Sequence, residues 1–405
     1  MRLFIHAWRN MWRNPRRTLI TLTAVGLNIA ILIAAFSLMD GLLRHAVSNA
    51  VNLTTGEVQV HAPEYLSRRS IYDTLQHPDR LLERIRGPQV QALARSFGFG
   101  LAAHGSKSSG AQFWGINPDE ERRIFDLASH MAAGSFLSTP SDGGIVLGSK
   151  LARSLELSPG DELVVVVQAA DGSLGNQLFT VRGVLKSAGD SIDRTGAFIH
   201  RDDFASLFAA RGMVHEIAVN SHSSLPLQAL EDRVEAAAPG LQVSTWRELM
   251  PVLSDMMNIF DVSMWLFGVI FFLAAGLGVM NTMLMATFER VREFGLIKAL
   301  GASPWRIVRD VAAEALVLGM TATLLGGSLG LAAGLYLQTV GLDTSAFAGS
   351  YTIAGVAFDP VWRAVVSLES VLVPILAMWG ICLLASLYPA VIAARLDPVR
   401  AMQHV

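Results

Sequence analysis

Four long apolar runs dominate the pattern of hydrophobic and polar positions along the chain. Each run is free of Asp, Glu, Lys and Arg and reaches the roughly 20 residues that an α-helix needs to cross the ~30 Å core of a bilayer. Lipid offers no partner for backbone polar groups, so such runs are predicted to span a membrane as helices. The runs are residues 18–39, 262–288, 315–342 and 370–394.

Basic residues beside these runs predict their orientation. Five arginines precede the first run with no acidic residue among them, which places the N-terminus in the cytoplasm by the positive-inside rule. The connection between the second and third runs is also basic, whereas the connection between the third and fourth has only Arg363. Both termini are therefore predicted to be cytoplasmic and residues 43–258 to lie outside the inner (cytoplasmic) membrane. The basic residues are Arg2, Arg9, Arg13, Arg16, Arg17, Arg290, Arg292, Lys298, Arg306 and Arg309.

The segment before the first run is predicted to be an amphipathic helix at the inner leaflet. Phe4, Trp8, Met11 and Trp12 recur at helical spacing and stop before Pro15. Tryptophan is enriched at membrane interfaces, which favours a helix over a frayed tail. The apolar region of a cleaved signal peptide spans only about 7–15 residues. The first run is longer, so we expect a retained anchor.

Between the first two runs the pattern changes to that of a soluble α+β domain. Alternating apolar and polar residues predict strands, and apolar residues with a period near 3.6 predict helices. The predicted strands are residues 57–61, 163–167 and 179–185, and the predicted helices are residues 119–131 and 227–238. Residues 43–258 are numerous enough for a core of their own, and we expect two lobes.

Composition limits the classes of function. The chain is 52% hydrophobic and 16% charged, whereas a soluble domain has about a quarter charged residues. A net charge of −2 without a basic stripe gives no reason to expect a nucleic-acid partner. The single cysteine, Cys382, excludes a disulfide framework and a Cys-based metal site. The histidines lack ligand spacing, and no metal site is predicted.

The sequence shows no motif of a nucleotide-hydrolysing enzyme. Residues 100–107 come nearest to a phosphate-binding loop, but Ser106 separates Gly105 from Lys107 and no buried strand is predicted before them. We interpret this segment as a surface loop. The chain itself is therefore predicted to be no enzyme and to bind no cofactor, with ATP and Mg²⁺ held by a partner ATPase.

The segment after the second run carries the most informative motif. Residues 289–303 read Glu-Arg-Val-Arg-Glu-Phe-Gly-Leu-Ile-Lys-Ala-Leu-Gly-Ala-Ser. The pattern predicts a short helix of mixed charge that ends at Gly301. One interpretation is a cytoplasmic connection with a face on the inner leaflet. The other is a coupling helix, a rigid element that presses into a groove on a nucleotide-hydrolysing partner.

This segment closely resembles the Glu-Arg-x-x-Glu-Ile-Gly-x-x-[Lys/Arg]-Ala-[Leu/Ile]-Gly-Ala signature of the MacB/FtsX/LolC-LolE family of ABC transporter permeases. Near the C-terminus, Tyr388-Pro389-Ala390 with residues 393–398 and 400–401 resembles the closing motif of that family. Residues 56–61, 115–118 and 147–152 are similar to outer-domain segments of its lipoprotein-releasing LolC/LolE branch. The resemblance covers nearly the whole chain.

The resemblance implies a fold of four transmembrane α-helices with a large α+β outer domain of the MacB porter/Sabre type between helices one and two. It also implies an assembly of two ATPase subunits and two permeases, either a homodimer or a pair of unlike chains. Closure of the ATPases would then move the outer domain through the coupling helix. The residues expected to couple to the ATPase are Glu289, Arg290, Arg292, Glu293, Gly295, Lys298, Leu300, Gly301 and Ala302.

Two further sets of candidates come from positions within the apolar runs. Small residues four apart let helices approach closely, and we expect them to pack helices or to form a dimer seam. Apolar residues at the outer ends of runs one and two are candidates to face acyl chains, with lipid contact or core packing as the alternative. The small residues are Gly26, Ala30, Ala34, Gly326, Gly330 and Gly334, and the acyl-facing candidates are Phe36, Met39, Leu43, Met264, Phe267 and Phe271.

The outer domain has one candidate contact for a periplasmic carrier or adaptor. In the LolC/LolE branch, a protruding hairpin recruits the soluble lipoprotein carrier. The corresponding loop here, residues 168–178, is short, which argues against docking of such a carrier. Its turn residues are Asp171, Gly172, Gly175 and Asn176.

Three functions fit these patterns. The first is extraction of lipoproteins or lipids from the membrane, driven by a partner ATPase. The second is a MacB-like export motor that works with a periplasmic adaptor and an outer-membrane channel, and the third is an FtsX-like signalling permease that controls a cell-wall hydrolase. A route for a polar solute would show ionisable residues inside the runs. Their absence there favours the first function.

Overall fold

The computed structural model describes residues 2–221, 225–344, 351–353, 356–358 and 361–397. The chain divides into two compact units. The helical unit comprises Met1–Leu43, Met257–Thr344 and Val361–Val405, and the sheet unit comprises Arg44–Met256 and Ser345–Pro360. The end of the closing motif, from residue 398 onward, lies outside the described residues.

The helices and strands follow one another in this order along the chain. The helices are α1 (Arg2–Met11), α2 (Pro15–Ala50), α3 (Tyr65–Arg68), α4 (Pro78–Ile85), α5 (Pro118–Ile124), α6 (Ser149–Leu155), α7 (Asp190–Thr195), α8 (Arg201–Leu207), α9 (Leu227–Ala237), α10 (Trp246–Leu249), α11 (Pro251–Glu289), α12 (Val291–Ala299), α13 (Pro304–Thr339) and α14 (Leu368–Arg395). The strands are β1 (Val58–His61), β2 (Val90–His104), β3 (Lys107–Ile116), β4 (Met131–Gly134), β5 (Gly144–Leu147), β6 (Glu162–Gln168), β7 (Leu174–Leu185), β8 (Gly196–His200), β9 (Glu216–Ser221), β10 (Gln242–Thr245), β11 (Leu342–Asp343), β12 (Tyr351–Ile353), β13 (Val356–Phe358) and β14 (Val361–Trp362). A π-helical turn, Val51–Thr55, continues α2, and a 3₁₀ turn covers Leu127–Ser129.

Within the described residues, four helices are long and apolar enough to cross a membrane. They are α2 with its π-helical turn, α11, α13 and α14. Helices α2, α11 and α14 each contain a whole predicted run, whereas α13 ends at Thr339, three residues before the end of the predicted run 315–342. Three of them extend well beyond the runs: α2 continues to Ala50, α11 begins at Pro251 and α13 begins at Pro304. A helix satisfies its own backbone hydrogen bonds, so it continues through the interface into polar sequence.

The two stripes of small residues pack against each other inside the helical unit. A Cβ atom at Gly326 of α13 would overlap the carbonyl oxygen of Gly26 in α2. A Cβ at Gly330 would lie 2.9 Å from the Cα of Ala30. Such close backbone approach is what small residues permit between membrane helices. The alternative prediction of a dimer seam is therefore wrong for these glycines, because a helix of the same chain covers them.

In the sheet unit, six strands close into a ring. Strands β2, β3, β8, β5, β7 and β6 pair in that order, and β6 pairs with β2 to complete the circle. The ring encloses a core that includes Phe113, Phe179 and Ile199. The first half of β2 instead pairs with β9, which pairs with β1 and then β10. A second core, including Val58 and Ile217, lies between these strands and the helices α4 and α9.

Two predictions about the sheet unit were wrong. Helix 119–131 is only partly formed, because α5 ends at Ile124 and the backbone N–H of Asp126 bonds to the carbonyl of Asn52 instead of continuing the helix. Residues 100–107 are no surface loop, because β2 continues to His104 and β3 begins at Lys107. Gly105 has a φ of +56°, which suits the tight turn of this hairpin.

Candidate functional site: the coupling segment and an apolar cavity

The coupling segment is a short helix between two interruptions of helical structure. Helix α11 ends at Glu289 and α12 begins at Val291. After Ala299 the chain turns at Gly301, whose φ of +91° lies in the left-handed region that glycine tolerates. Pro304 then starts α13, at a position where proline is favoured because no helical N–H is lost.

Arg290 holds the start of this segment against α13. Its guanidinium donates to Glu314 at 2.6 Å and to Glu293 at 3.0 Å, and it lies over the ring of Phe294. Burial by itself would lower the pKa of Arg290, but the two carboxylates outweigh burial and raise the pKa. The side chain therefore stays charged and cross-links α12 to α13.

The segment before the first membrane helix is bonded to the coupling segment. Arg13 pairs with Glu293 at 2.5 Å, and Arg17 pairs with Glu289 at 3.0 Å. Asn14 also donates to Glu289. Burial alone would raise the pKa of Glu293, but hydrogen bonds from Arg13 and Arg290 lower it. The motif glutamates thus contact the chain's own N-terminal arginines.

Lys298 connects the other end of the coupling helix to α14. Its ammonium group donates to the carbonyl oxygens of Ala394 at 2.9 Å and Leu396 at 2.6 Å. These carbonyls are at the C-terminal end of α14, where the helix leaves acceptors without internal partners and the dipole favours a cation. Phe294 is buried beside the same helix end, in a cluster with Ile307, Val311, Ala390 and Ala393.

The predicted coupling residues thus fall into two groups. Most of the charged members contact other helices of the unit, and Gly295 is buried. Leu300 is 80% exposed, and Gly301 and Arg292 are exposed as well, while Ala302 is half-buried. Two exposed apolar residues were missed, Leu296 and Trp305. A tryptophan in the short segment that follows Gly301 was the available signal. Whether any of these residues contacts an ATPase stays a prediction.

The N-terminal helix α1 is amphipathic, with one correction. Phe4, Trp8 and Trp12 are exposed at one side, as a lipid-facing stripe requires. Met11 does not share that face, since it is buried with Ala7 in the core of the helical unit. Contact with the inner leaflet stays a prediction.

A cavity of about 240 Å³ lies among α2, α11 and the start of α14. Four of the six predicted acyl-facing residues line it, namely Phe36, Met39, Leu43 and Met264. Phe271 does not line the cavity, because it is about two helical turns from Met264 and packs against the core. Phe267 does not line it either, and its side chain is 57% exposed.

The apolar runs did not predict the side of the cavity that α14 supplies. The other residues that line the whole cavity are Asp40, Asp261, Trp265, Ser367, Glu369, Ser370 and Val373. Ser370 is buried and bonds to Ser37 and Ser367, which fixes the start of α14 beside α2. Four of these residues, Ser367, Glu369, Ser370 and Val373, come from the start of a third helix, α14, whose neighbours no single apolar run could reveal.

The predicted partner loop of the sheet unit is shorter than expected. The turn covers residues 169–173 and contains Asp171 and Gly172, whose φ is +84°. Hydrogen bonds from Ser173 lower the pKa of Asp171. Gly175 and Asn176 are not turn residues, because they pair with β6 as part of β7.

Comparison with known proteins finds two protein-family models that match this chain. The FtsX-like permease C-terminal model matches residues 265–398, and the MacB-like periplasmic core domain model matches residues 18–237. The lipoprotein-releasing system transmembrane protein LolE of Haemophilus influenzae is 23% identical, with 98% of both chains covered. LolC of Neisseria meningitidis is 21% identical, with 96% of this chain and 94% of LolC covered.

Two further similarities are more limited in coverage. The pyoverdine export ATP-binding/permease protein PvdT of Pseudomonas putida is 25% identical over 98% of this chain but only 58% of PvdT. Among solved structures, the periplasmic region of MacB from Actinobacillus actinomycetemcomitans matches 53% of this chain and 95% of its own length, at 12% identity and a TM-score of 0.37.

The family follows from the coverage of the models. The MacB-like model alone spans more than half of the 405 residues. The FtsX-like model covers α12, α13 and α14 completely and most of α11. The chain is a multi-pass membrane protein with a large extracytoplasmic domain, and it belongs to the LolC/LolE/MacB/FtsX family of ABC transporter permeases.

Proposed function

We propose that this permease extracts lipoproteins or lipids from the inner membrane, driven by ATP hydrolysis in a partner ATPase. The observation that carries the proposal is the cavity at the predicted outer end of the bundle, with walls from Phe36, Met39, Leu43 and Met264. Each exposed CH₂ of an acyl chain costs about 0.8 kcal/mol in water, so released cargo needs an apolar shelter. Methionine side chains adapt to irregular acyl shapes. Relatives named for lipoprotein release support this cargo.

The coupling segment provides the route for force in this proposal. Leu300 and Trp305 are exposed and would enter a groove of the ATPase, which holds ATP and Mg²⁺. Arg290 and Lys298 fasten the same segment to α13 and α14. A push on the exposed residues would therefore move several membrane helices together. A second permease, identical or unlike, completes the complex, with the termini of both chains in the cytoplasm.

The contact with the ATPase is tested by one substitution and a matched control. Leu300→Asp places a charge where an apolar contact is proposed and should abolish co-purification of the ATPase. Leu174→Asp changes an equally exposed leucine in the sheet unit and should leave co-purification unchanged. Normal recovery of the ATPase with Leu300→Asp would contradict the proposed contact.

The cargo is tested by reconstitution of the complete transporter in proteoliposomes. Acylated and non-acylated versions of a lipoprotein encoded beside the transporter genes would each be supplied with ATP. The acylated version should stimulate ATP hydrolysis and leave the membrane, while the non-acylated version should do neither. Equal stimulation without release would refute lipoprotein extraction.

An export motor with a periplasmic adaptor is the second candidate. The short turn at residues 169–173 favours it, because no long hairpin is present there to recruit a soluble carrier. The similarity to the export protein PvdT supports the same alternative. Stimulation of ATP hydrolysis by a purified adaptor, with no effect of lipoprotein, would establish this function in place of extraction.

A further inference from the structure

The sheet unit contains a cavity of its own, with a volume of about 410 Å³. Every residue that lines it belongs to the sheet unit, and none of them lines the cavity of the helical unit. Its volume falls in the range of about 300–1,000 Å³ that is typical of ligand sites. Such sites combine apolar walls with a few convergent polar groups, and this cavity has both.

Aromatic side chains form one wall of this cavity. Phe99 is 54% exposed, although it is a large apolar residue well inside strand β2. Phe97 and Trp114 line the same cavity, with their rings edge to face at 4.7 Å. The indole N–H of Trp114 is buried and has no hydrogen-bond partner among the described residues, and native structures rarely leave such a donor unsatisfied. A ligand with an apolar body and an acceptor atom complements this wall.

One cation lines the cavity without a carboxylate of the chain to neutralise it. Arg69 and Glu216 are the two charged residues of the lining. Glu216 is already paired, with Arg95 at 3.1 Å and with His61 at 3.3 Å. Arg69 is exposed, its guanidinium lies 5.6 Å from the centre of the Tyr65 ring, and within the described part of the chain no ion pair includes it. The unpaired charge favours an anionic ligand, and a guanidinium suits a carboxylate because the two can form parallel hydrogen bonds.

Two connecting segments of the chain meet at this cavity. One is the π-helical turn Val51–Thr55, which continues α2, and the other is Leu249 with Met250, directly before α11 begins at Pro251. The hydroxyl of Thr55 lies 3.9 Å from the sulfur of Met250. A π-helical turn is rare and is frequently found at a functional site. A molecule in the cavity would therefore contact both of the segments from which α2 and α11 extend.

We propose that this cavity binds a small organic molecule with one carboxylate and an apolar or aromatic body, and that the bound molecule holds the two connecting segments together. Arg69 binds the carboxylate. The rings of Phe97, Phe99 and Trp114 contact the apolar body. Because the ligand enters from outside the membrane, it is an effector of the permease and not cargo taken from the bilayer. The proposal is independent of the cargo proposed above.

The test compares two probes that differ in charge. One is naphthaleneacetate, and the other is naphthaleneacetamide, in which an uncharged amide replaces the carboxylate. Their dissociation constants would be measured by equilibrium dialysis against the full chain in nanodiscs of zwitterionic lipid, with empty nanodiscs to correct for uptake by the lipid. The acid should bind about tenfold more tightly than the amide, which is the size of one favourable charge contact.

Variants at exposed positions locate the bound probe. Arg69→Gln should remove the tenfold preference, because the acid loses its cation, while the amide still binds. Arg68→Gln changes the neighbouring exposed arginine, which does not line the cavity, and should keep the preference. Phe99→Ala should weaken the binding of both probes about fivefold through the loss of ring contact. Leu101→Ala, at an exposed residue of the same strand outside the cavity, should weaken neither.

Hydrogen exchange tests whether the bound molecule holds the connecting segments. At ten times its dissociation constant, naphthaleneacetate should slow the exchange of backbone amides in Val51–Thr55 and at Met250 about tenfold, because opening must then release the probe. In Arg69→Gln, whose affinity for the acid is tenfold lower, the same concentration should slow this exchange only about twofold.

Each part of the proposal has its own contrary result. Binding no greater than that of empty nanodiscs, equal binding of acid and amide, or an unchanged preference in Arg69→Gln overturns the binding site. Normal binding of the acid without slower exchange in both connecting segments overturns the effect on these segments.

Discussion

In the sheet unit large apolar side chains such as Phe113 and Phe198 are completely buried, whereas in the helical unit Leu324 and Val262 are 75% and 69% exposed. At the contact between α2 and α13, the helical unit instead buries glycines such as Gly326. Water drives apolar side chains inward, but lipid is as apolar as leucine and exerts no such drive. Close packing of small residues then holds the helices together.

The two units also differ in how deeply they bury charged side chains. In the sheet unit Arg95 is fully buried and bonds to Glu121 at 2.7 Å, to Glu216 at 3.1 Å and to the carbonyl of Thr54. Burial would lower the pKa of Arg95, but the carboxylates of Glu121 and Glu216 outweigh burial and raise the pKa. Burial would raise the pKa of Glu216, but the hydrogen bond from His61 and the charge of Arg95 lower it. In the helical unit the pair Arg13–Glu293 is largely exposed. The helical unit has a mostly buried pair of its own, Arg290–Glu314, so we expect charge to contribute most to stability at the fully buried Arg95 and least at exposed pairs such as Arg13–Glu293.

The largest expected effect comes from breaking the buried charge cluster. Arg95→Met would leave Glu121 and Glu216 buried without a cation and should cost about 3–5 kcal/mol of unfolding free energy. The measurement is chemical unfolding of the purified chain, followed by its tryptophan fluorescence, to which Trp114 beside Arg95 contributes. The control Arg153→Met removes an exposed arginine and should change stability by less than about 0.5 kcal/mol. Equal losses of stability in the two variants would show that a buried arginine contributes no more to the sheet unit than an exposed one.

An intermediate effect is expected at the glycine contact of the helical unit. Gly326→Ala adds a Cβ that overlaps the carbonyl of Gly26, so α2 and α13 must separate, at a cost of about 1–3 kcal/mol. Gly278→Ala adds the same group to α11 where no other atom lies within 4 Å. This control should be neutral or stabilising by up to about 1 kcal/mol, because alanine favours helix. Thermal unfolding in detergent would compare the two, and a shift of the same sign would contradict close packing as the stabilising contact.

The smallest expected effect is at the exposed ion pair of the helical unit. Arg13→Gln removes the partner of Glu293 and should cost less than about 1 kcal/mol, since both side chains are about half exposed. High salt should remove most of this difference, because ions screen exposed charges. Thermal unfolding at low and high salt measures it. A loss of stability comparable to that of Arg95→Met would mean that exposure to solvent does not weaken this ion pair.

The sequence by itself determined the features that depend on neighbouring residues. Apolar length gave the four spanning helices, and alternation gave the strands at residues 57–61, 163–167 and 179–185 to within a few positions. The segment 289–303 gave the family, because its order of charges and glycines is local. Each of these properties is complete within one stretch of chain and needs no knowledge of what packs against it.

Tertiary structure alone decided which residues meet. Helix 119–131 stopped at Ile124 because Asp126 bonds to Asn52, far away in the sequence. Gly26 and Gly326 came together from separate helices, and residues of three helices line one cavity. Spacing along one helix fixes which face a residue occupies, but the element that covers this face follows from the packing of the whole unit. Contacts between distant segments therefore had to come from the fold.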